Sequence, residues 1–281
     1  MQQYCDLHTH SIFSDGTDTP QEILQAAVQC GLSAVALCDH NTTDGLLHFL
    51  NAAKDLPIEA ICGAEFSVDY NGTELHLLGL FLDPKHYPQI MEKMAKAHQL
   101  KEQSNLDLIK ALDAAGYPLD YEQIKAKTPN GRVNRAHIAA ALTEKGFTPS
   151  MNAAFNTLLS KKAGFYKEPQ RITVWEMLSF LRSIDAVPVL AHPYLNLTQA
   201  QLEEFLPQAK EQGLIGIETV YSLYDADTAK NAAETAKRFG LLCSGGSDYH
   251  GSNKPDLKIG VGKGNLAIPL AWANALKESV K

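Results

Sequence analysis

Short hydrophobic runs alternate with segments of helical periodicity along most of the chain. The first run, residues 4–10, predicts a strand that is buried on both faces. A helix follows over residues 19–30, with a threonine cap, a proline in its first turn and a glycine directly after its end. The same alternation predicts a strand at 34–40 and a helix at 43–54. Repeated strand–helix units of this kind indicate a parallel sheet, open or closed.

Two features interrupt this alternation. Residues 58–68 and 74–82 predict strands around an Asn71-Gly72 turn, which is typical of a β-hairpin. From about residue 84 to 168 the pattern changes to consecutive helices, with turn-forming residues at 116–118, 128–131 and 148–149. Alternation then resumes, with predicted strands at 187–192, 215–220 and 241–244 and helices at 198–212 and 226–239. The sequence therefore predicts a helical insertion within a larger α/β unit.

Composition narrows the class of protein. The chain has 281 residues, 45% hydrophobic and 20% charged, and no hydrophobic run approaches the about 20 residues that span a bilayer. The N-terminal segment lacks the features of a secretory signal, so we expect a cytoplasmic protein whose five cysteines are reduced. The net charge of −7 argues against a broad groove for long nucleic acid.

The strongest chemical signal is the segment Asp6-Leu7-His8-Thr9-His10. Residues two apart on a strand point to the same side, so both imidazoles can bind one metal ion. Alone, the pattern fits two half-exposed histidines at a strand end equally well. Other predicted strands, however, also carry histidines or carboxylates at or near their ends. These are Asp15, Asp39, His40, Glu65, His76, His192, Asp248 and His250. Because the carboxyl ends of parallel strands form one edge, we expect these side chains to converge.

Imidazoles and carboxylates without thiolates suit manganese, iron or zinc, and they favour a catalytic centre over a structural zinc site. Without Asp39, nine candidate ligands remain, more than a single catalytic ion uses, so we expect two or three divalent ions. Clustered ions lower the pKa of a shared water and neutralise charge on a phosphoryl oxygen. The pattern therefore predicts hydrolysis of a phosphate ester.

Together with the segments 63–65, 191–193 and 246–250, these motifs resemble those of the PHP (polymerase and histidinol phosphatase) family of metal-dependent phosphoesterases. The resemblance covers about residues 1–83 and 168–281, and none of the nine family ligand positions is missing. It implies an α/β fold, a distorted seven-stranded (β/α) barrel formed by residues 1–97 and 167–281. Residues 98–166 would form a helical insertion that contributes to substrate binding and resembles that of the nucleoside 3′,5′-bisphosphate phosphatase branch.

The resemblance also implies a role for each ligand, with manganese as the leading metal. The first ion would be held by His8, His10, Glu65 and Asp248, the second by Glu65, His76 and His192, and the third by Asp15, His40 and His250. A metal-bridging hydroxide would be the nucleophile, with Asp248, His192 and Glu65 acting through it. Asp39 would orient an imidazole or, equally, be a surface carboxylate.

The insertion carries a candidate anion site. A helix is expected to begin at Arg132-Val133-Asn134-Arg135-Ala136-His137, and a helix N-terminus with arginines suits an anion. The segment resembles the phosphate-binding segment of the same branch, which implies that Arg135, helped by Arg132 and His137, binds a second phosphate of the substrate. The alternative is a solvated helix start. Tyr166 and Arg171 are assigned to ordinary structure, although both could line the same pocket.

We therefore predict a phosphatase for a small phosphorylated metabolite, with the 3′-phosphate of nucleoside 3′,5′-bisphosphates as the leading target. The alternatives are a 5′-3′ exonuclease for short oligonucleotides, a histidinol-phosphate phosphatase and a non-catalytic metal-binding regulatory module. The complete ligand set argues against the regulatory module. No membrane association, long nucleic acid or obligate protein partner is expected.

Overall fold

A computed structural model describes residues 3–128 and 131–280. Pro129 and Asn130, in the predicted break at 128–131, lie outside this part of the chain. The chain opens with β1 (Tyr4–Thr9), α1 (Pro20–Gln29), β2 (Ala34–Leu37) and α2 (Leu46–Ala53). The predicted hairpin follows as β3 (Glu59–Tyr70) and β4 (Thr73–Leu80), and the helical region contains α3 (Tyr87–Ala114), α4 (Tyr121–Ala126), α5 (Arg135–Glu144) and α6 (Met151–Asn156).

Strand and helix alternate again in the second half. The elements are β5 (Ile172–Thr173), α7 (Val174–Ser183), β6 (Val187–Leu190), α8 (Gln199–Glu211), β7 (Gly216–Tyr221), α9 (Ala226–Phe239), β8 (Leu242–Gly246), β9 (Ile268–Pro269) and α10 (Leu270–Glu278). Helix α1 begins as predicted, because the Thr19 side chain accepts the Glu22 N–H and the Glu22 carboxylate accepts the Thr19 N–H. Of the helices that the structure describes, none is long and apolar enough to cross a bilayer.

The strands form a barrel-like sheet in the order β8-β7-β6-β4-β3-β2-β1-β9, with β5 beside β3. Strands β1 and β8 approach each other, and the Asp248 N–H donates to the His8 carbonyl at 2.9 Å, so the sheet nearly closes. This confirms the predicted distorted α/β barrel, with seven strands of four or more residues and two very short ones. The expected parallel sheet is interrupted at β4, which is antiparallel to both β3 and β6. A two-residue turn joins only antiparallel strands, and Asn71-Gly72 therefore sets this direction.

Helix α3 connects the barrel with the helical region. Its first half places Tyr87, Ile90 and Met94 in the main hydrophobic core. Its second half places Leu108 and Leu112 in a separate core, which α4, α5 and α6 complete. The predicted domain boundary between residues 97 and 98 therefore falls inside one continuous helix, and the division into two domains stays a prediction.

Candidate metal centre and substrate cavity

The nine candidate ligands lie together at one end of the barrel. His40 and His192 lie beyond β2 and β6, which end earlier than predicted, at Leu37 and Leu190. Glu65 and His76 were expected near strand ends but lie inside β3 and β4. In the sheet, Leu37 at the end of β2 pairs with Cys62, and Leu190 at the end of β6 pairs with Leu77. Glu65 and His76 therefore lie just beyond the points at which the neighbouring strands β2 and β6 end. All nine side chains therefore reach one rim.

Glu65 lies at the centre of this cluster and is 1% exposed. Its Oε2 lies 3.3 Å from His8 Nε2, 3.3 Å from His10 Nε2 and 3.0 Å from His40 Nδ1. Its Oε1 lies 2.8 Å from His76 Nδ1 and 3.0 Å from His192 Nε2. One carboxylate thus faces five imidazoles.

Two further carboxylates complete the cluster. Asp248 Oδ1 lies 3.3 Å from His10 Nε2 and 3.4 Å from His250 Nδ1. Asp15 Oδ1 lies 3.2 Å from His250 Nε2, and Asp15 Oδ2 lies 3.6 Å from His40 Nε2. Asp15 Oδ1 also lies 3.9 Å from His10 Nδ1, so every carboxylate lies close to histidines from more than one of the three expected ligand sets. The assignment of ligands to individual ions therefore stays a prediction.

Unpartnered polar atoms test whether metal ions fit here. Five buried atoms of the cluster have no hydrogen-bond partner in the described part of the chain: His8 Nε2, His10 Nδ1 and Nε2, His40 Nδ1 and Glu65 Oε2. Leaving such atoms unpaired costs about 1–3 kcal/mol each. Imidazole nitrogens and carboxylate oxygens that converge without hydrogen bonds suit divalent cations. The cluster is therefore able to bind metal ions.

Burial and neighbouring charges shift the ionisation of the cluster in different directions. Burial lowers the pKa of His40 to about 3, although Asp15 and Glu65 raise it, so this imidazole is neutral. Burial raises the pKa of Glu65, but His76, His8 and His40 outweigh burial and hold it well below its usual value. Burial lowers the pKa of His10, but the nearby carboxylates of Asp248 and Glu65 outweigh burial and raise it to about 9. Metal ions bind neutral imidazoles and ionised carboxylates, so an ion that binds at His10 displaces a proton.

Three residues that the sequence analysis missed hold the ligands in place. The Tyr221 hydroxyl and the Lys254 ammonium donate to Asp248 Oδ2 at 2.8 and 2.6 Å. Glu218 on β7 is 0% exposed and contacts both His8 and His192. A single carboxylate within an apolar strand was the signal that could have identified Glu218.

Asp39 differs from both of its expected roles. It is 1% exposed, so it is not a surface carboxylate. It accepts hydrogen bonds from the Ser11 N–H at 2.8 Å and from the Ser11 and Ser14 hydroxyls at 2.7 Å each, and none of the described bonds joins it to an imidazole. Asp39 therefore fixes the turn that precedes Asp15.

A cavity of about 440 Å³ adjoins the cluster and extends to the helical region. Asp15, His40 and His76 belong to its wall on the side of the cluster. Basic side chains also line it: Lys101, Arg132, Arg135 and Arg171. The cavity therefore joins the candidate metal centre to a basic region.

The predicted anion-binding residues differ in their surroundings. The Arg135 guanidinium lies 4.3 Å from the centre of the Tyr166 ring, which supports it from one side. Arg132 donates to Thr42 Oγ1 at 2.9 Å and pairs with Asp44, so it joins the helical region to the loop after β2. His137 Nδ1 accepts the Asn134 N–H at 2.9 Å. The substrate roles of Arg135, Arg132 and His137 stay predictions.

Two more cations differ from what the sequence suggested. Arg171, assigned to ordinary structure, lines the cavity and pairs with Glu74 at 2.6 Å. Lys101 on α3 was not singled out, because a lysine on a polar helix looks like a surface residue. Burial and the nearby Arg135 lower its pKa to about 8, although Glu74 opposes this. In the described residues no carboxylate lies within ion-pair distance of Lys101.

Comparison with known proteins places this geometry in a family. A model of the PHP domain matches residues 6–242. A 5′-3′ exoribonuclease of Haemophilus influenzae is 30% identical over 251 residues, covering 89% of this chain and 91% of the relative. A phosphoribosyl 1,2-cyclic phosphate 1,2-diphosphodiesterase of Eggerthella lenta is 31% identical over 253 residues, covering 88% and 94%. A 3′,5′-nucleoside bisphosphate phosphatase of Chromobacterium violaceum is 26% identical over 257 residues, covering 91% and 90%.

The fold agrees with these sequence relationships. The solved structure of an amidohydrolase from Chromobacterium violaceum, with bound sulfate, superimposes with a TM-score of 0.87 at 25% identity and covers 99% of this chain and 96% of that chain. The family match extends over most of the barrel and includes both the first histidine motif and Glu65. The chain belongs to the PHP domain family and is a metal-dependent phosphoesterase.

Proposed function

We propose that the protein is a phosphatase for a small nucleotide that carries two phosphates, with the 3′-phosphate of nucleoside 3′,5′-bisphosphates as the leading target. The observation that carries this proposal is the cavity with a metal-binding cluster in one wall and Lys101, Arg135 and Arg171 in another. A substrate with one phosphate at each place would satisfy both. The name of the relative from Chromobacterium violaceum supports the same substrate class.

The proposed ligands are His8, His10, Asp15, His40, Glu65, His76, His192, Asp248 and His250, with manganese as the first metal to test. Divalent ions bound here would supply a water of lowered pKa and would neutralise charge on the phosphoryl oxygens. Lys254 and Tyr221 hold one oxygen of Asp248, so that the other oxygen faces His10. The chain thus fixes the direction of a proposed ligand before any substrate binds.

The second phosphate is proposed to bind between Lys101 and Arg135. A guanidinium binds phosphate through paired hydrogen bonds, and the Tyr166 ring lies against one side of the Arg135 guanidinium. Lys101 adds a charge whose burial without a paired carboxylate costs free energy, and an anionic ligand would relieve this cost. Arg171 contributes less because Glu74 already neutralises it.

A second candidate is cleavage of short oligonucleotides from the 5′ end. The 30% identity to an exoribonuclease favours it, and a 5′-phosphate could bind the same cations. The two functions differ in the bond that is broken, which is a monoester in the first and a diester in the second.

A substrate panel tests the proposal. Manganese-loaded protein should release phosphate from 3′-phosphoadenosine 5′-phosphate faster than from histidinol phosphate, and faster than it shortens a 5′-phosphorylated trinucleotide. Arg135→Ala should chiefly weaken the binding of bisphosphorylated substrates, and an equal loss on monophosphates would refute its role. Aryl phosphatase activity that a chelator does not reduce would refute the metal mechanism. No activity on any ester would favour the regulatory module.

A further inference from the structure

One buried carboxylate contacts two of the proposed ligands at the same time. Glu218 Oε1 lies 2.9 Å from His8 Nδ1, and Glu218 Oε2 accepts the backbone N–H of His192 at 2.7 Å. The two histidines belong to different parts of the barrel, since His8 lies in β1 and His192 follows β6. Glu218 is fully buried, so these two contacts occupy both of its oxygens away from bulk solvent.

The first contact selects the nitrogen with which His8 can bind a metal ion. An ionised carboxylate only accepts hydrogen bonds, so Nδ1 must carry the proton. In the neutral ring the lone pair is then on Nε2. Within the described part of the chain, this atom is buried without a hydrogen-bond partner, 3.3 Å from Glu65 Oε2 and 3.7 Å from Asp248 Oδ1. The atom that Glu218 leaves available therefore faces the cluster.

The second contact, between Glu218 and the His192 N–H, stabilises an unfavourable backbone conformation at His192. His192 has φ 29° and ψ 53°, close to the left-handed region that residues other than glycine rarely adopt. Its N–H is held by Glu218, and its ring places Nε2 3.0 Å from Glu65 Oε1. The hydrogen bond to Glu218 thus helps to keep the ring directed at the cluster.

We propose that Glu218 is a positioning residue that prepares His8 and His192 for metal binding and is not itself a ligand. The inference rests on the proposed function only in requiring that metal ions bind at the cluster. His8, His192 and Glu218 do lie close enough to hold an ion as a group. However, Glu218 Oε1 and His8 Nδ1 already contact each other at hydrogen-bond distance, whereas His8 Nε2 has no hydrogen-bond partner among the residues that the structure describes.

Glu218→Gln tests this role with little change in volume. The amide offers one acceptor oxygen, so it can serve His8 or His192 but not both. If the oxygen turns to His192, the NH₂ group faces His8 Nδ1 and favours a proton on Nε2, which blocks the metal-binding atom. We expect the dissociation constant for manganese to rise about 10- to 100-fold, while the number of ions bound at saturation stays unchanged. The ¹⁵N spectrum of His8 in metal-free protein, recorded at a pH high enough for the ring to be neutral, should show loss of the Nδ1–H form.

The matched control is Glu59→Gln, which removes a carboxylate on β3 that pairs with Lys277 outside the cluster. It should bind manganese like the wild type. Glu218→Asp is measured in parallel, because it keeps both acceptor oxygens but moves them back by one methylene. We expect its loss of affinity to be smaller than that of Glu218→Gln, with the Nδ1–H form retained. Circular dichroism of the metal-free variants verifies folding.

Three results would overturn the inference. Manganese affinity of Glu218→Gln within twofold of the wild type would show that positioning by Glu218 is unimportant. Loss of one bound ion at saturating manganese would make Glu218 a ligand. A larger loss for Glu218→Asp than for Glu218→Gln would contradict the argument from acceptor atoms. A wild-type protein that binds no manganese would instead refute the proposed function as well, so the two failures are distinguishable.

Discussion

Replacing Lys101 by methionine should raise stability and lower activity towards bisphosphates at the same time. Burial moves the pKa of Lys101 from 10.5 to about 8, so the folded protein carries this charge at a cost. A shift of this size corresponds to about 3 kcal/mol. The Lys101 side chain is still partly accessible to solvent, so we expect the substitution to raise the free energy of unfolding by only about 1–3 kcal/mol. This corresponds to a rise in melting temperature of several degrees.

The sign of the pH dependence follows from the direction of the shift. The folded-state pKa lies below the unfolded value, so the cost is fully present below pH 8 and disappears as the pH rises towards 10.5. The difference in stability between Lys101→Met and the wild type should therefore be largest near neutral pH. Thermal unfolding of metal-free protein at pH 7 and pH 10 measures it.

The expected loss of activity has a different cause from the gain in stability, namely the loss of a charged hydrogen-bond donor to the phosphate. A hydrogen bond from a charged donor contributes about 1.5–3 kcal/mol, so kcat/KM for 3′-phosphoadenosine 5′-phosphate should fall about 10- to 150-fold. The value for an aryl monophosphate should stay unchanged. Lys110→Met, at an exposed position of the same helix, is the control. Unchanged kcat/KM for the bisphosphate, or a variant no more stable than the wild type at pH 7, would refute the reasoning.

Three further predictions concern the cluster. Asp248→Ala should lower turnover by roughly 10³-fold, because it removes a proposed ligand and leaves Lys254 and Tyr221 without their shared acceptor; steady-state kinetics with metal analysis check this. Manganese at 100 times its dissociation constant should stabilise the wild type by about 2.7 kcal/mol in thermal unfolding, and a chelator should reverse the effect; equal melting temperatures would contradict it. Gly246→Ala should destabilise the protein and displace His8, because a Cβ there would lie 2.2 Å from His8 Cβ; wild-type stability and manganese affinity would contradict this.

The sequence was sufficient to predict most of the barrel and the composition of the cluster. Alternating periodicity, helix caps and the Asn71-Gly72 turn are local signals, and each was sufficient to predict the strand, helix or hairpin in which it lies. The convergence of the ligands was also predictable, because parallel strands present their ends at one edge. Residues such as Glu65 and His76 were placed near strand ends because sequence shows where a strand can form but not where its neighbours stop.

Other features depend on packing between distant segments. Glu218 looks like an isolated carboxylate until β7 pairs with β6 and the Glu218 side chain reaches His8 on β1. Lys101 looks exposed until the fold partly buries it and brings Arg135 close to it. Asp39 was expected to orient an imidazole or, equally, to be a surface carboxylate, whereas its partners are the two serines after β1. In each case the partner lies more than 20 residues away, and neither periodicity nor spacing contains that information.

In the proposed binding mode, helix α3 sets the distance between the second phosphate and the metal-binding rim. Met94 anchors one part of this helix in the barrel, His98 Nε2 lies 2.8 Å from the Asn41 carbonyl beside the cluster, and Asn105 Nδ2 donates to the Val133 carbonyl at 2.7 Å. Lys101 lies on the rigid segment between the last two attachments, so its separation from the metal-binding rim is determined by helical geometry. Inserting one residue between His98 and Lys101 would rotate the lysine by about 100° and move it about 1.5 Å along the axis. Relatives could thus change the length of substrate they accept by altering α3 alone, without changing any of the nine candidate ligands.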